Sequence, residues 1–290
     1  MKLHRHWTVV YNPASGGYRP RTLERILRTL QEGGIRSTVL ATEYPGHAVE
    51  LCQAIGDADG VACYSGDGTL NEVATGLIGR NLPLAFLPGG TANVMAHELG
   101  LPGDPVRAAR LLMKGRPRQV RPGTVGPGIF LLMAGIGFDA KAVSLVGPRL
   151  KAWAGRGAYV WAGLRALFAP TADLRISGAG EPAFTARWVV AARAGRYGGA
   201  FVIHPAAGLE APALGVAAVG AGHVVPFLVA NLGCGRSTSR AGRRLLQATR
   251  LVVEAGQPVP LQVDGDSWGQ ASRFEIGISS ETVPLLFPER

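Results

Sequence analysis

The stretch "CYSGDGTLNEVATGL", Cys63 to Leu77, decides the reading of the chain. It passes from a short apolar run through Ser-Gly-Asp-Gly-Thr into apolar residues at helical spacing, so a strand ends and a helix begins within it. Such a turn leaves the first N–H groups of the helix without intrahelical partners. Glycines such as Gly66 and Gly68 let that backbone approach a phosphate closely, and the helix dipole favours the anion. Thr69 and Glu72 also have the T-x-x-E spacing of a capping box, which would make them a helix start and nothing more. Neither idea accounts for Asp67. An acid at a phosphate-binding turn is repelled by the anion unless it holds Mg²⁺, a ribose hydroxyl or a transferable proton. Asp67 therefore points to a nucleotide site that does chemistry.

Two similar turns flank this one. "YNPASGG" (11–17) follows the first apolar run and carries Asn12, Ser15, Gly16 and Gly17. "LPGGTANVMAHELGLP" (87–102) follows the fourth and carries Gly89, Gly90 and Thr91. One glycine turn is weak evidence, but three at the carboxyl ends of strands in one parallel sheet converge on the usual ligand crevice. None is a Walker A loop, because no GxxxxGK[ST] occurs. "GIGFDA" (135–140) matches G-x-G-x-x-A but lies in a strand-rich context, and no acid follows Asp139 until Asp173. It is set aside as a dinucleotide motif.

Strand-like and helix-like runs alternate to about residue 118, which argues a doubly wound parallel sheet. In "RTLERILRTLQEGG", Leu23, Ile26, Leu27 and Leu30 share one face and Gly33-Gly34 ends the helix. Beyond about Val125, short apolar runs separated by Gly and Pro predict an antiparallel sandwich or barrel, interrupted by one helical stretch, "GAYVWAGLRALFA". The expected division is an α/β nucleotide-binding domain at 1–122, a β-sandwich domain at 123–280, and a tail at 281–290 that returns to the first.

The chain has 290 residues and a net charge of +10, which suits an anionic partner or simply a solvated surface. No basic-aromatic module appears, so nucleic acid is not expected. Cys52, Cys63 and Cys234 are few and scattered, consistent with reduced cytosolic thiols and with neither a disulfide framework nor a zinc site. The N-terminus lacks a signal-peptide core, and the longest apolar runs fall short of a membrane span. A cytoplasmic protein that meets the inner face of a membrane peripherally is expected. "PRLKAWAGR" (148–156) mixes three basic residues with Trp153 and reads as a lipid-interface loop or a solvated turn.

Taken in order, these motifs resemble the diacylglycerol kinase catalytic family, which includes bacterial lipid kinases and sphingosine kinases. "YNPASGG" is similar to its N-P-x-S-G strand end, "ATEYPGHAVELC" to its T-x-x-x-x-G-H-A segment, and "SGDGTLNEVATGL" to its G-G-D-G-T-x-N-E-V signature. "LPGGTANVMAHELGLP", "GIGFDA", "GRYGGAFVIHP" and "LQVDGD" continue the match. The resemblance implies a nucleotide-binding domain, a β-sandwich lipid domain with the active site in the cleft, and transfer of phosphate from ATP with Mg²⁺ to a lipid hydroxyl such as that of diacylglycerol. By motif position, nucleotide contacts would fall on Asn12, Thr42, Ser65, Gly66, Asp67, Gly68, Thr69, Leu70, Asn71, Gly90 and Thr91. The catalytic acids would be Asp266, Asp264 and Asp67. The family's D-G-E motif reads Asp264-Gly265-Asp266 here, with Asp266 in the place of the Glu that acts as base. "VDGD" also reads as a plain Asp-Gly hairpin turn.

Departures from the family pattern are Val94 for an Asp in N-D-F-A-R, and Ala211-Pro212 for Asp-Gly in P-x-A-x-L-x-D-G-x-L. The first two alternatives to a lipid kinase are an NAD-kinase-type enzyme and a nucleotide- and lipid-binding protein that has lost catalysis. A structural metal that some family members hold in the second domain uses an Asp at the position of Ala211. With no carboxylate there, that metal is expected to be absent.

Overall fold

The computed structural model describes residues 5–145, 172–178, 180–197, 201–220 and 243–289. "GAYVWAGLRALFA", "PRLKAWAGR" and Cys234 lie outside them. The chain divides into one unit of Met1–Arg121 with Ser280–Arg290 and a second of Pro122–Ser279.

The first unit alternates β1 (Arg5–Tyr11), α1 (Pro20–Glu32), β2 (Ile35–Ala41), α2 (His47–Gln53), β3 (Gly60–Ser65), α3 (Asp67–Leu77), β4 (Leu84–Pro88), α4 (Val94–Leu99), α5 (Pro105–Leu112) and β5 (Arg116–Val120). The described strands of the second unit are β6 (Gly123–Val125), β7 (Gly128–Phe130), β8 (Met133–Gly137), β9 (Leu174–Ser177), β10 (Phe184–Ala186), β11 (Trp188–Ala192), β12 (Arg196–Tyr197), β13 (Phe201–Val202), β14 (Leu214–Val219), β15 (Arg243–Ala248), β16 (Arg250–Val263) and β17 (Asp266–Ile278). Helix α6 (Phe138–Leu145) follows β8, and β18 (Val283–Phe287) completes the first unit.

The first sheet has six strands in the order β2-β1-β3-β4-β18-β5. Strands β1 to β4 and β18 pair in parallel, and only β5 runs antiparallel, against β18. Central strands β3 and β4 are buried at every position, as expected when helices cover both faces. In α1 the periodic residues Leu23, Ile26 and Leu30 are buried and Gly33 closes the helix. Helix α5 starts on Pro105, with the Asp104 carboxylate accepting from the Val106 and Arg107 N–H groups. The exposed edge β5, Arg-Pro-Arg-Gln-Val, resists further pairing because Pro117 lacks a donor and the arginines carry charge.

The second unit holds an antiparallel ten-stranded sheet, with the path β15-β14-β11-β8-β16-β17-β6-β7 and β9-β10 branching from β16. The long strand β16 is the pivot. Its first half pairs with β9 and its second half with β8, and its register with β17 shifts between Glu254 and Val259. Side chains from strands throughout this sheet share one apolar cluster, including Phe130, Ile136, Leu174, Val189, Val216 and Leu251. The expected class, a parallel α/β unit joined to an antiparallel β unit, is the one observed.

The strand-to-helix step at "GIGFDA" is real, but β8 pairs antiparallel with β11 and β16, so it is no βαβ unit. Cys52 and Cys63 are free and buried, and burial pushes the Cys52 thiol up to about 12.

At the segment where Ala211 replaces an acid, three main-chain carbonyls turn onto a fixed cation. The Arg193 guanidinium, 1% exposed, donates to the carbonyls of Leu209, Ala211 and Ala213. Buried acceptors that lose their donor cost about 1–3 kcal/mol each. Arg193→Met should therefore destabilise the protein by about 3–5 kcal/mol in urea titration, with Arg193→Lys recovering part of the loss. Mg²⁺ added alone should leave the melting temperature of the native protein unchanged, because these carbonyls already face a cation.

Candidate active site

The three glycine turns meet at the carboxyl ends of β1, β3 and β4. The Gly17 N–H donates to the Gly89 carbonyl at 2.9 Å, and the Gly89 N–H to the Ser65 carbonyl at 2.8 Å. The Ser15 and Ser65 hydroxyls lie 2.9 Å apart, and Asn12 Nδ2 donates to Thr69 Oγ1 at 3.1 Å. Gly66 and Gly90 touch through their backbones: a Cβ on Gly90 would stand 2.5 Å from Gly66 Cα. No other residue type at position 90 allows that approach, so Gly90 serves the packing of turn on turn as well as any ligand. Tyr18 stacks on Tyr11 at 5.3 Å and leans on Tyr64, whose hydroxyl accepts from the Arg19 N–H, which pins the first turn.

Helix α3 begins at Asp67 with Gly66 as its N-cap, and no side chain caps it. The capping box expected of Thr69 and Glu72 does not form. Thr69 sits within the first turn, and Glu72 reaches to α2, where its carboxylate accepts from the Gly46 and Ala48 N–H groups. The expectation failed because Glu72 meets, across the helix pair, another helix start that has no side-chain cap of its own.

Asp67 also has a structural task that its sequence position did not reveal. Its carboxylate accepts from the Val94 N–H at 2.9 Å and the Met95 N–H at 3.0 Å, the first residues of α4. The acid between two glycines thus leans sideways onto a neighbouring helix. These two bonds account for Asp67 without metal, ribose or proton chemistry, which is therefore not the only explanation of an acid at this turn.

The other predicted contacts differ in access. Thr91 is exposed and Gly68 half-buried, whereas Thr42 is buried with its N–H bonded to the Tyr11 carbonyl. The Leu70 side chain is 1% exposed and belongs to the apolar core, so only its main chain can face a ligand. Asn71 is also buried, beside the Thr75 hydroxyl. His47 starts α2 and stacks on Tyr44 at 4.4 Å, and His97 is exposed in the last turn of α4.

In the second unit, Asp264 and Gly265 form a two-residue hairpin between β16 and β17, both with positive φ (50° and 90°). This is the Asp-Gly turn that the local sequence allowed. The Asp264 carboxylate accepts from the N–H groups of Leu131, Leu132 and Met133 at 2.8–2.9 Å. Those three bonds commit it to holding chain, which disfavours a part as catalytic acid. Asp266, the first residue of β17, is half-buried.

One buried acid escaped the sequence reading. Asp139, at the start of α6, is 1% exposed and accepts from Gln262 Nε2 at 3.1 Å and from the Ala140 N–H at 2.7 Å. Burial pushes its pKa up to about 6, against the opposing pull of these donors. "GIGFDA" was the available signal, but it was weighed only as a dinucleotide motif. Because the folded pKa lies above the ~3.9 of an unfolded aspartate, the stability this group contributes is present at low pH and lost as pH rises through about 6. Asp139→Asn should accordingly gain on the native protein by about 1 kcal/mol between about pH 5 and about pH 7, read from urea midpoints at the two values.

Residues 6–125 match the model of the diacylglycerol kinase catalytic domain. A diacylglycerol kinase of Staphylococcus haemolyticus is 35% identical over 175 residues, 58% of this chain and 53% of its own. A diacylglycerol kinase of Bacillus subtilis is 30% identical over 165 residues, 55% of this chain and 54% of its own. The chain spans about half the length of the curated relatives it matches. A diacylglycerol kinase crystal structure from Bacillus anthracis superposes with a TM-score of 0.77 at 20% identity, covering 99% of this chain and 98% of that one. Another solved Bacillus anthracis chain reaches 0.85 at 22% identity, over 98% and 95%. At such identities the structures speak for the fold, while the similarity to the diacylglycerol kinase catalytic domain is carried by residues 6–125.

Proposed function

We propose that this protein is an ATP-dependent lipid kinase that moves the γ-phosphate to a hydroxyl of a membrane lipid of the diacylglycerol class. The observation that carries the reading is the glycine-started, side-chain-uncapped N-terminus of α3, set among two more glycine turns. An anion suits such a helix start, and Asp67, drawn aside onto α4, does not oppose it. Asn12, Ser65, Gly66, Gly68, Thr69, Gly90 and Thr91 supply the polar and main-chain groups for a nucleotide. Mg²⁺ would sit with the phosphates and neutralise charge there, with Asp67 the acid of this turn.

Phosphoryl transfer asks a protein chiefly for positioning and charge neutralisation. Asp266 takes the proton of the lipid hydroxyl as its oxygen bonds to the γ-phosphorus, and the bond to the β-phosphate oxygen breaks to release ADP. Asp264 holds the turn that presents Asp266. Sphingosine kinase and acylglycerol kinase are among the names of the matched relatives, so the lipid class is the open variable.

Among the described residues no helix is long and apolar enough to cross a membrane. The acceptor would be met at a surface, and exposed Arg21, Arg25 and Arg28 on α1 with Arg107 and Arg110 on α5 favour an anionic one.

Labelled ATP with a total bacterial lipid extract should yield a labelled phospholipid. Gly68→Val should weaken ATP binding at least tenfold, about 1.4 kcal/mol, in calorimetry on folded protein. Asp266→Asn should lower turnover by about 10²–10⁴; full activity in that variant removes Asp266 as the base. Label on NAD in place of lipid would favour the NAD-kinase reading, and nucleotide binding without any product would favour a binding protein. Vesicle association should weaken as salt rises from about 0.01 M to about 0.15 M, over which the Debye length falls from about 30 Å to about 8 Å. Equal sedimentation with neutral and anionic vesicles at low salt would count against the anionic surface.

A further inference from the structure

The hairpin that carries Asp266 is held from two sides, and the second side is a buried relay. On one side Asp264 gathers the N–H groups of Leu131, Leu132 and Met133. On the other, the Gly265 N–H donates to Gln262 Oε1 at 2.8 Å, and Gln262 Nε2 donates to Asp139 at 3.1 Å. Gln262 and Asp139 are each 1% exposed. Gln262 lies opposite Gly135 in the β16–β8 register, and a Cβ on Gly135 would fall within the space of the Asp139 carboxylate and Gln262 amide. The glycine leaves the room that the relay fills.

We infer that Asp139 and Gln262 are positioning residues for the Asp264-Gly265-Asp266 turn, setting its angle through the Gly265 N–H. A turn with two positive-φ residues is stiff about its own axis but can rock on its flanking strands. Two bonded supports remove that freedom, whereas one would leave a hinge. An amide reads the carboxylate with its nitrogen and the turn with its oxygen, and Asn, one methylene shorter, would not span both. A misplacement of about 1 Å at a reacting group costs on the order of 10²-fold in rate.

This inference rests on the kinase reading for its activity arm, so its test has a second arm that does not. Gln262→Met keeps bulk and loses both bonds. In the folded variant the Gly265 amide should exchange with solvent at least tenfold faster, turnover should fall about 10²-fold, and KM for ATP should stay within about twofold, because the relay belongs to the second unit and the glycine turns to the first. Native exchange at Gly265, or a raised KM with unchanged kcat, would overturn the inference. If Gln262→Met does not fold, Gln262→Glu carries the test: it keeps the acceptor for Gly265 but faces Asp139 without a donor. Pairing it with Asp139→Asn returns a donor from the other side and should restore exchange protection and turnover. A double variant no better than Gln262→Glu alone would overturn the relay, since a merely packed pair gains nothing from reversed polarity. Should Asp266→Asn stay fully active, the base assignment falls while the exchange at Gly265 still decides the relay.

Discussion

Carboxylates that accept main-chain N–H groups from a distant stretch of chain organise both units. Asp67, at the start of α3, holds the first turn of α4 through Val94 and Met95. Asp264, in the β16–β17 turn, holds Leu131 to Met133. Hydrogen bonds with one ionised partner are roughly twice as strong as neutral ones. Each also supplies acceptors to amides that would otherwise be left over at a helix start or a strand entry. In the first unit, the consequence is that two glycine turns are drawn together until Gly66 and Gly90 touch. In the second, a hairpin of intrinsically defined shape is tied to the strand entry beside it.

The same device separates two roles that a motif merges. In Asp264-Gly265-Asp266 the first acid accepts from three main-chain donors, and the last stands at the head of β17. In Ser-Gly-Asp-Gly-Thr the acid turns away to α4, and the helix start keeps its main-chain donors without a side-chain cap. A carboxylate at a glycine turn suits a helix start better when its own oxygens face the N-terminal end of another helix, where the local field is positive.

Arg193 carries the complementary case. Where three carbonyls of the 209–213 segment converge, a guanidinium with its fixed fork of donors can satisfy several at once. Nothing near Ala211 in the sequence announces this, because Arg193 follows β11, well before the segment it serves.

Much of the fold was legible in the chain. The alternation of β1 through α5 follows from period-two and period-3.6 apolar patterns with glycine and proline at their ends, since the burial of one face is written into local spacing. The Asp-Gly hairpin was legible for the same reason, because positive φ at two adjacent positions is a local demand. Glu72 was misread because T-x-x-E specifies a spacing, while the choice of which uncapped helix start to serve depends on where α2 lies. Asp67, Asp139, Arg193 and Gln262 were misjudged or missed for one cause: each acts on atoms many residues away. The sequence by itself determined the elements, their order, the glycine turns and the family resemblance. The tertiary structure alone decided which acids hold the scaffold, because a carboxylate's role depends on the donors that face it, and long-range packing chooses those donors.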